Sequence, residues 1–120
     1  PLDSWTDADL SDVSSFNTRN VNSMNAMFYN CRLVTSLNLA NFDTSRVTNM
    51  DEMFYFNQKL TSLDLSSFDT SQVVIMMSMF YGCSSLETIK IDKNFLNMKL
   101  ISLNLKDKIH NFYNFNLSFL

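Results

Sequence analysis

The chain of 120 residues has one glycine, Gly82, and one proline, Pro1. That scarcity excludes collagen, Gly-rich linkers, P-loops and dinucleotide-binding fingerprints, all of which need several glycines. It also argues against a sandwich or barrel built on Gly and Pro turns. One histidine and two cysteines fall short of the roughly four ligands a zinc site needs. No apolar run approaches the roughly 18 residues that would span a bilayer, and no charged n-region followed by an apolar core marks a signal peptide. Basic residues are few before Lys90. Residues 1–89 hold four basic and ten acidic residues, a balance of −6, whereas residues 90–120 hold five lysines against Asp92 and Asp107, a balance of +3. A nucleic-acid partner needs a concentrated basic face, and the main body has none.

What is present is apolar and polar material in quantity. The hydrophobic fraction of 46% is enough for a packed core and too much for a disordered tail. Phe (11) and Met (8) are abundant, as are Asn (15), Ser (16) and Thr (8). These residues recur in order. Residues 16–40 read FNTRNVNSMNAMFYNCRLVTSLNLA, residues 42–66 read FDTSRVTNMDEMFYFNQKLTSLDLS, and residues 68–92 read FDTSQVVIMMSMFYGCSSLETIKID. The blocks open on Phe16, Phe42 and Phe68, so the step between them is constant. The aligned columns include Met24/Met50/Met76, Met27/Met53/Met79, Phe28/Phe54/Phe80, Tyr29/Tyr55/Tyr81, Val34/Leu60/Leu86, Leu37/Leu63/Ile89 and Leu39/Leu65/Ile91. This divides the chain into a degenerate N-terminal coil at 1–15, three repeats at 16–41, 42–67 and 68–92, and an irregular C-terminal coil or tail at 93–120.

Within a unit the periodicity changes. Leu63 and Leu65 alternate with polar neighbours, so a short strand with one buried face is predicted there. Met50, Met53 and Phe54 are spaced i, i+3, i+4, which predicts one face of a short helix, capped by Thr48 or Asn49 with Glu52 and, in the first unit, by Ser23. The third unit carries Val74-Ile75 at the capping positions, so its helix is expected to start more loosely. One strand and one helical turn cannot bury their own apolar faces, whereas stacked copies can. The predicted fold is therefore an α/β repeat: a leucine-rich-repeat-like right-handed solenoid with a parallel sheet on one face and short helices on the other. Phe42 and Phe68 are expected to stack in the turn after the strand. Leu100-x-x-Leu103-x-Leu105 repeats the strand signature out of period. Residues 106–120 fit no unit, and read either as an edge-covering cap or as a stray extension.

The unit F-[DN]-T-S-x-V-T-N-M-x-x-M-F-x-x-C-x-x-L-T-S-L-D-L-S resembles the repeat of BspA-like leucine-rich-repeat surface proteins, and residues 41–66 match it nearly throughout. The resemblance covers about residues 16–92. It implies an extracellular or cell-surface protein that adheres to host matrix or to other cells, and it carries no ligand residues with it. Because the chain opens on Pro1, it is expected to be a monomeric fragment of a longer array whose signal and anchor lie outside it.

Each singled-out residue has a plain structural reading beside a functional one. Cys31 and Cys83 share a column with Asn57 between them. Two strand spacings separate them by about 10 Å, beyond the ~7 Å between Cα atoms that a disulfide tolerates. Two free, buried thiols are therefore predicted, with an intermolecular bridge or a metal role as the alternative. His110 lacks an orienting partner and a nucleophile, and no set of residues composes a catalytic centre or calls for a cofactor or metal. The Met and Phe stripes have the phase of a core. Asp43-Thr44-Ser45 and Asp69-Thr70-Ser71 suit Asx or ST turns rather than calcium, which would need clustered carboxylates and glycines. Asn116-Leu117-Ser118 is a glycosylation sequon.

Two features remain as candidate partner sites. Tyr29, Tyr55 and Tyr81 form an aromatic column that either contacts a partner or packs on the neighbouring coil. The outward strand positions, Ser36 and Asn38, Ser62 and Asp64, Thr88 and Lys90, make a small polar face of the kind solenoids use for binding. The reading is a module that presents this face to a protein or glycan on a host or neighbouring cell, with no enzyme chemistry, no nucleic acid and no direct membrane insertion. The alternative is a structural spacer without a ligand of its own.

Overall fold

The computed structural model describes Thr6, Leu10, residues 13–92, Phe95 and residues 111–113. Among these residues three short strands form one parallel sheet: β1 (Ser62–Asp64), β2 (Thr88–Lys90) and β3 (Asn111–Tyr113), in that spatial order. β1 and β2 pair with Leu63 opposite Ile89, so the register of the sheet is the step of the repeat. The same step of 26 residues separates Thr48 from Asn22, whose carbonyl accepts the Thr48 hydroxyl at 3.2 Å. β2 pairs with β3 at Ile89 opposite Phe112, a shorter step than the repeat. Among the described residues, the strand that follows β2 is thus Asn111–Tyr113. The Leu100-x-x-Leu103-x-Leu105 segment lies outside the described residues, as do Trp5, His110 and the sequon.

The alternation read from the sequence holds in the strands. Leu63 is buried between exposed Ser62 and Asp64, and Ile89 is buried beside exposed Lys90. The core runs continuously through all three units, from Leu10 to Phe95, and includes Val34, Leu60 and Leu86, Met50 and Met76, and Leu39, Leu65 and Ile91. The aromatic columns stack ring on ring. Phe28, Phe54 and Phe80 are spaced 5.8 Å apart, nearly parallel, and Phe42 lies over Phe68 at 6.4 Å. Phe16, first in the Phe42/Phe68 column, is instead 47% exposed.

The Met/Phe segments depart from expectation. Among the described residues there is no α-helix; the only helical element is a single 3-10 turn, Val13–Ser15. Residues 25–30, 51–56 and 77–82 are overlapping turns. Alternate amides fold back three residues, as Met53 N to Met50 O (3.2 Å) and Tyr55 N to Glu52 O (3.1 Å). The amides between them cross to the next unit: Phe54 N to Met79 O (2.9 Å), Phe56 N to Tyr81 O (2.7 Å) and, one unit earlier, Phe28 N to Met53 O (2.9 Å). A neighbouring unit that offers a carbonyl to every second amide removes the need for the i to i−4 bonds of a helix. Ala26 and Glu52 in one column, and Asn30, Phe56 and Gly82 in another, take up the reversal with positive φ. The i, i+3, i+4 spacing still buries one face, because overlapping three-residue turns return the chain to that face as a helix would.

The capping residues act accordingly. Ser23, Asn49 and Ile75 are joined by isolated parallel bridges. The Asn49 side chain accepts the Asp51 amide (2.9 Å) and Ser23 accepts the Asn25 amide (3.3 Å), two residues on rather than three. In the third unit the side chain comes from below: Asp51 accepts the Ser78 amide at 2.7 Å.

Two further ladders run through the interior. Thr18 Oγ1 donates to Asp43 O (3.1 Å) and accepts from Asp43 N (2.8 Å), and Thr44 does the same with Asp69 (2.8 Å each). These threonines are buried. In the other ladder, Asn57 Nδ2 donates to Phe28 O (2.9 Å) and Cys83 Sγ to Phe54 O (3.0 Å), both reaching back 29 residues. Among the described residues Asn57 Oδ1 has no partner. Cys31 and Cys83 are buried and neither is in a disulfide, and burial pushes the Cys31 thiol up to about 11.

Candidate functional site

The outward face of the sheet is built by strand alternation. With Leu63 and Ile89 committed to the core, Ser62 and Asp64 on β1 and Lys90 on β2 must face solvent, and Thr88 is half-buried beside them. Parallel pairing sets Ser62 against Thr88 and Asp64 against Lys90. In the first unit Ser36 and Asn38 are exposed on either side of half-buried Leu37.

Asn38 and Asp64 come together in one open cleft of about 280 Å3, lined also by Leu37, Leu39, Ala40, Ser66, Ser67 and Asp92. Its walls are held by local bonds. Asp64 Oδ1 accepts both the amide (3.0 Å) and the hydroxyl (2.6 Å) of Ser66, and Ser67 Oγ donates to Leu39 O (2.9 Å). The bonds from Ser66, aided by the charge of Lys90, hold the Asp64 carboxyl below the usual carboxylate range. Asp64 is therefore a fixed anion at neutral pH. Ser67 went unrecognised in the sequence because its position falls past the alternating stretch.

The tyrosine column lies apart, and none of its members lines the cleft. Tyr29 and Tyr81 are exposed and Tyr55 is half-buried. Their rings stack at 4.8 Å and 5.2 Å, and Phe56 meets the rings of Tyr55 and Tyr81 edge-on at 4.6 Å and 5.6 Å. The column thus packs on its neighbours and stays exposed at its edges. Partial burial, with Tyr29 and Tyr81 alongside, raises the Tyr55 phenol above its ordinary range.

The Asp-Thr-Ser stretches make Asx turns, with Asp43 Oδ1 accepting the Ser45 amide at 3.0 Å and Asp69 Oδ1 accepting the Ser71 amide at 2.9 Å. Among the described residues no group of three or more His, Cys, Asp or Glu side chains is placed to hold a metal ion, and no helix is long and apolar enough to cross a membrane.

Parallel pairing and isolated bridges at the repeat step join corresponding positions of successive repeats over one shared core. The chain belongs to the family described as Mycoplasma protein of unknown function, DUF285, whose model matches residues 3–117. No curated protein and no solved structure matches it.

Proposed function

We propose that the chain is a stretch of right-handed, leucine-rich-repeat-like solenoid of the BspA-like kind, secreted or displayed at a cell surface, and that it binds a protein or glycan of a host or neighbouring cell through its sheet face. Binding is by shape and polar contact, with no bond chemistry. The observation that carries the reading is the cleft at the end of the sheet face, where Asn38, Asp64 and Asp92 from three successive units line one concave, partly polar surface. Asp64 ends strand β1 and its carboxylate is fixed by two bonds from Ser66, so a ligand does not have to order it. The repeat motif, which resembles that of BspA-like surface proteins, favours the same reading, and the family is compatible with it.

A screen of the chain against matrix proteins and glycans tests it. A ligand found there is expected to lose at least about tenfold in affinity when Asn38, Asp64 and Lys90 are replaced by alanine, roughly the loss of one or two hydrogen bonds to charged groups. The fold, followed by thermal melting, should survive. A chain that binds nothing in the screen would instead be a spacer.

A further inference from the structure

Basic side chains are scarce in the main body, yet two converge. Of the five in residues 13–92 (Arg19, Arg32, Arg46, Lys59 and Lys90), Arg19 and Arg46 line a single open cleft of about 380 Å3 together with Asn20, Asp43 and Ser45. The repeat puts them there: Arg19-Asn20 of the first unit and Ser45-Arg46 of the second occupy the same pair of columns, one unit apart. Arg46 is held by donating to Asn20 Oδ1 at 3.3 Å. Among the described residues the Arg19 guanidinium and the Asn20 Nδ2 group have no hydrogen-bond partner. Asp43 is occupied by its own turn, where its Oδ1 accepts the Ser45 hydroxyl (2.6 Å) and amide. Two guanidiniums against one carboxylate leave the cleft with a charge of about +1 in a body that is otherwise acidic.

We infer that this cleft binds the carboxylate of an acidic sugar, one uronic-acid-like ring at a time. The charge balance selects a monoanion. A carboxylate leaves the site neutral, whereas a phosphate dianion would leave it with a net negative charge. A guanidinium fork matches a planar carboxylate through paired N–H donors. Asn20 and Ser45 offer partners for ring hydroxyls, and no lining side chain is apolar, so the cleft lacks the anchor pocket that a peptide side chain would use. Its volume lies at the small end of ligand sites. The site shares no residue with the sheet face and stands or falls independently of the function proposed for that face.

The test is an amide-resolved NMR titration of the full chain with sodium glucuronate, with glucose as the neutral counterpart and sodium acetate as the bare carboxylate. Glucuronate is expected to give saturable shifts at Asn20, Ser45 and Arg46, glucose none, and acetate at least about tenfold weaker binding. The third unit supplies the control substitutions, since it carries Ser71 and Gln72 in the two arginine columns. Arg19→Ser and Arg46→Gln should each weaken glucuronate about tenfold, with melting unchanged. Asp43→Asn keeps the turn and removes the opposing charge, and should tighten binding a few-fold. Equal shifts with glucose, acetate binding as tight as glucuronate, or glucuronate shifts that survive in the double arginine variant would each overturn the assignment.

Discussion

Leu63 and Asp64 are adjacent in β1 and face opposite ways, so the pair separates core from surface. Leu63→Ala should destabilise the protein by roughly 2–5 kcal/mol, since its side chain is buried in mid-stack. Asp64→Ala should cost only about 0.5–1 kcal/mol, somewhat more than a bare surface position, because two bonds from Ser66 end on its carboxylate. Denaturant melts of the two variants compare these costs directly, and equal losses would put the strand in the wrong register. Thr44 is a sharper case. Its hydroxyl is buried and serves both the amide and the carbonyl of Asp69, so Thr44→Val should cost about 1–3 kcal/mol, despite nearly equal volume. Nothing in the Asp-Thr-Ser motif marks its threonine as internal, since polar residues flank it on both sides. Its partner Asp69 belongs to the next unit, 25 residues away, so only the stacked structure reveals the ladder. Cys31 can be followed by pH. With its thiol raised to about 11 from an ordinary value near 9, the folded state holds the proton longer than the unfolded state. The stability this contributes is fully present below pH 9 and should be lost as pH climbs towards 11. Thiol labelling of native protein at pH 8 should be slow at both Cys31 and Cys83 and go to completion in denaturant, as read by mass.

At the scale of elements, β1 and β2 were legible, and the turns and β3 were not. Period-two alternation around Leu63 and Leu65 has one structural meaning, a half-buried strand. The i, i+3, i+4 spacing of Met50, Met53 and Phe54 has two, because a helix and a row of overlapping turns both bury that set. The residues that decide between them, Ala26, Glu52, Asn30 and Phe56, adopt positive φ without being glycine, so the signal that normally announces such a backbone is present only at Gly82. The two structures oppose each other in the sign of one substitution. In a helix, Ala26→Gly would destabilise by about 0.5–1 kcal/mol. At a φ of 57° the substitution relieves the Cβ clash, and the protein should be as stable as before or slightly more so. Thermal melts settle the sign. β3 was hidden for a different reason: the step from Ile89 to Phe112 is shorter than the one from Leu63 to Ile89, which breaks the period that exposed the other units.

For the whole molecule, the constant step of the repeat is what the sequence displays most openly, because stacked columns reward the same side chain in each layer. The Phe28/Phe54/Phe80 and Tyr29/Tyr55/Tyr81 stacks, and the core from Val34 through Leu60 to Leu86, follow from it. So does the outward sheet face. The concave regions do not, since the cleft at Asn38, Asp64 and Asp92 and the cleft at Arg19 and Arg46 each combine residues from neighbouring units that no local motif joins. Both rest on the claim that each unit bonds to the next in register. Hydrogen-bond scalar couplings between amide nitrogens and carbonyl carbons read that claim bond by bond. Correlations of Phe28 N with Met53 C′ and of Phe54 N with Met79 C′ are expected. Correlations of Phe54 N with Met50 C′, the pattern of an α-helix, would contradict the stacking and remove both clefts with it.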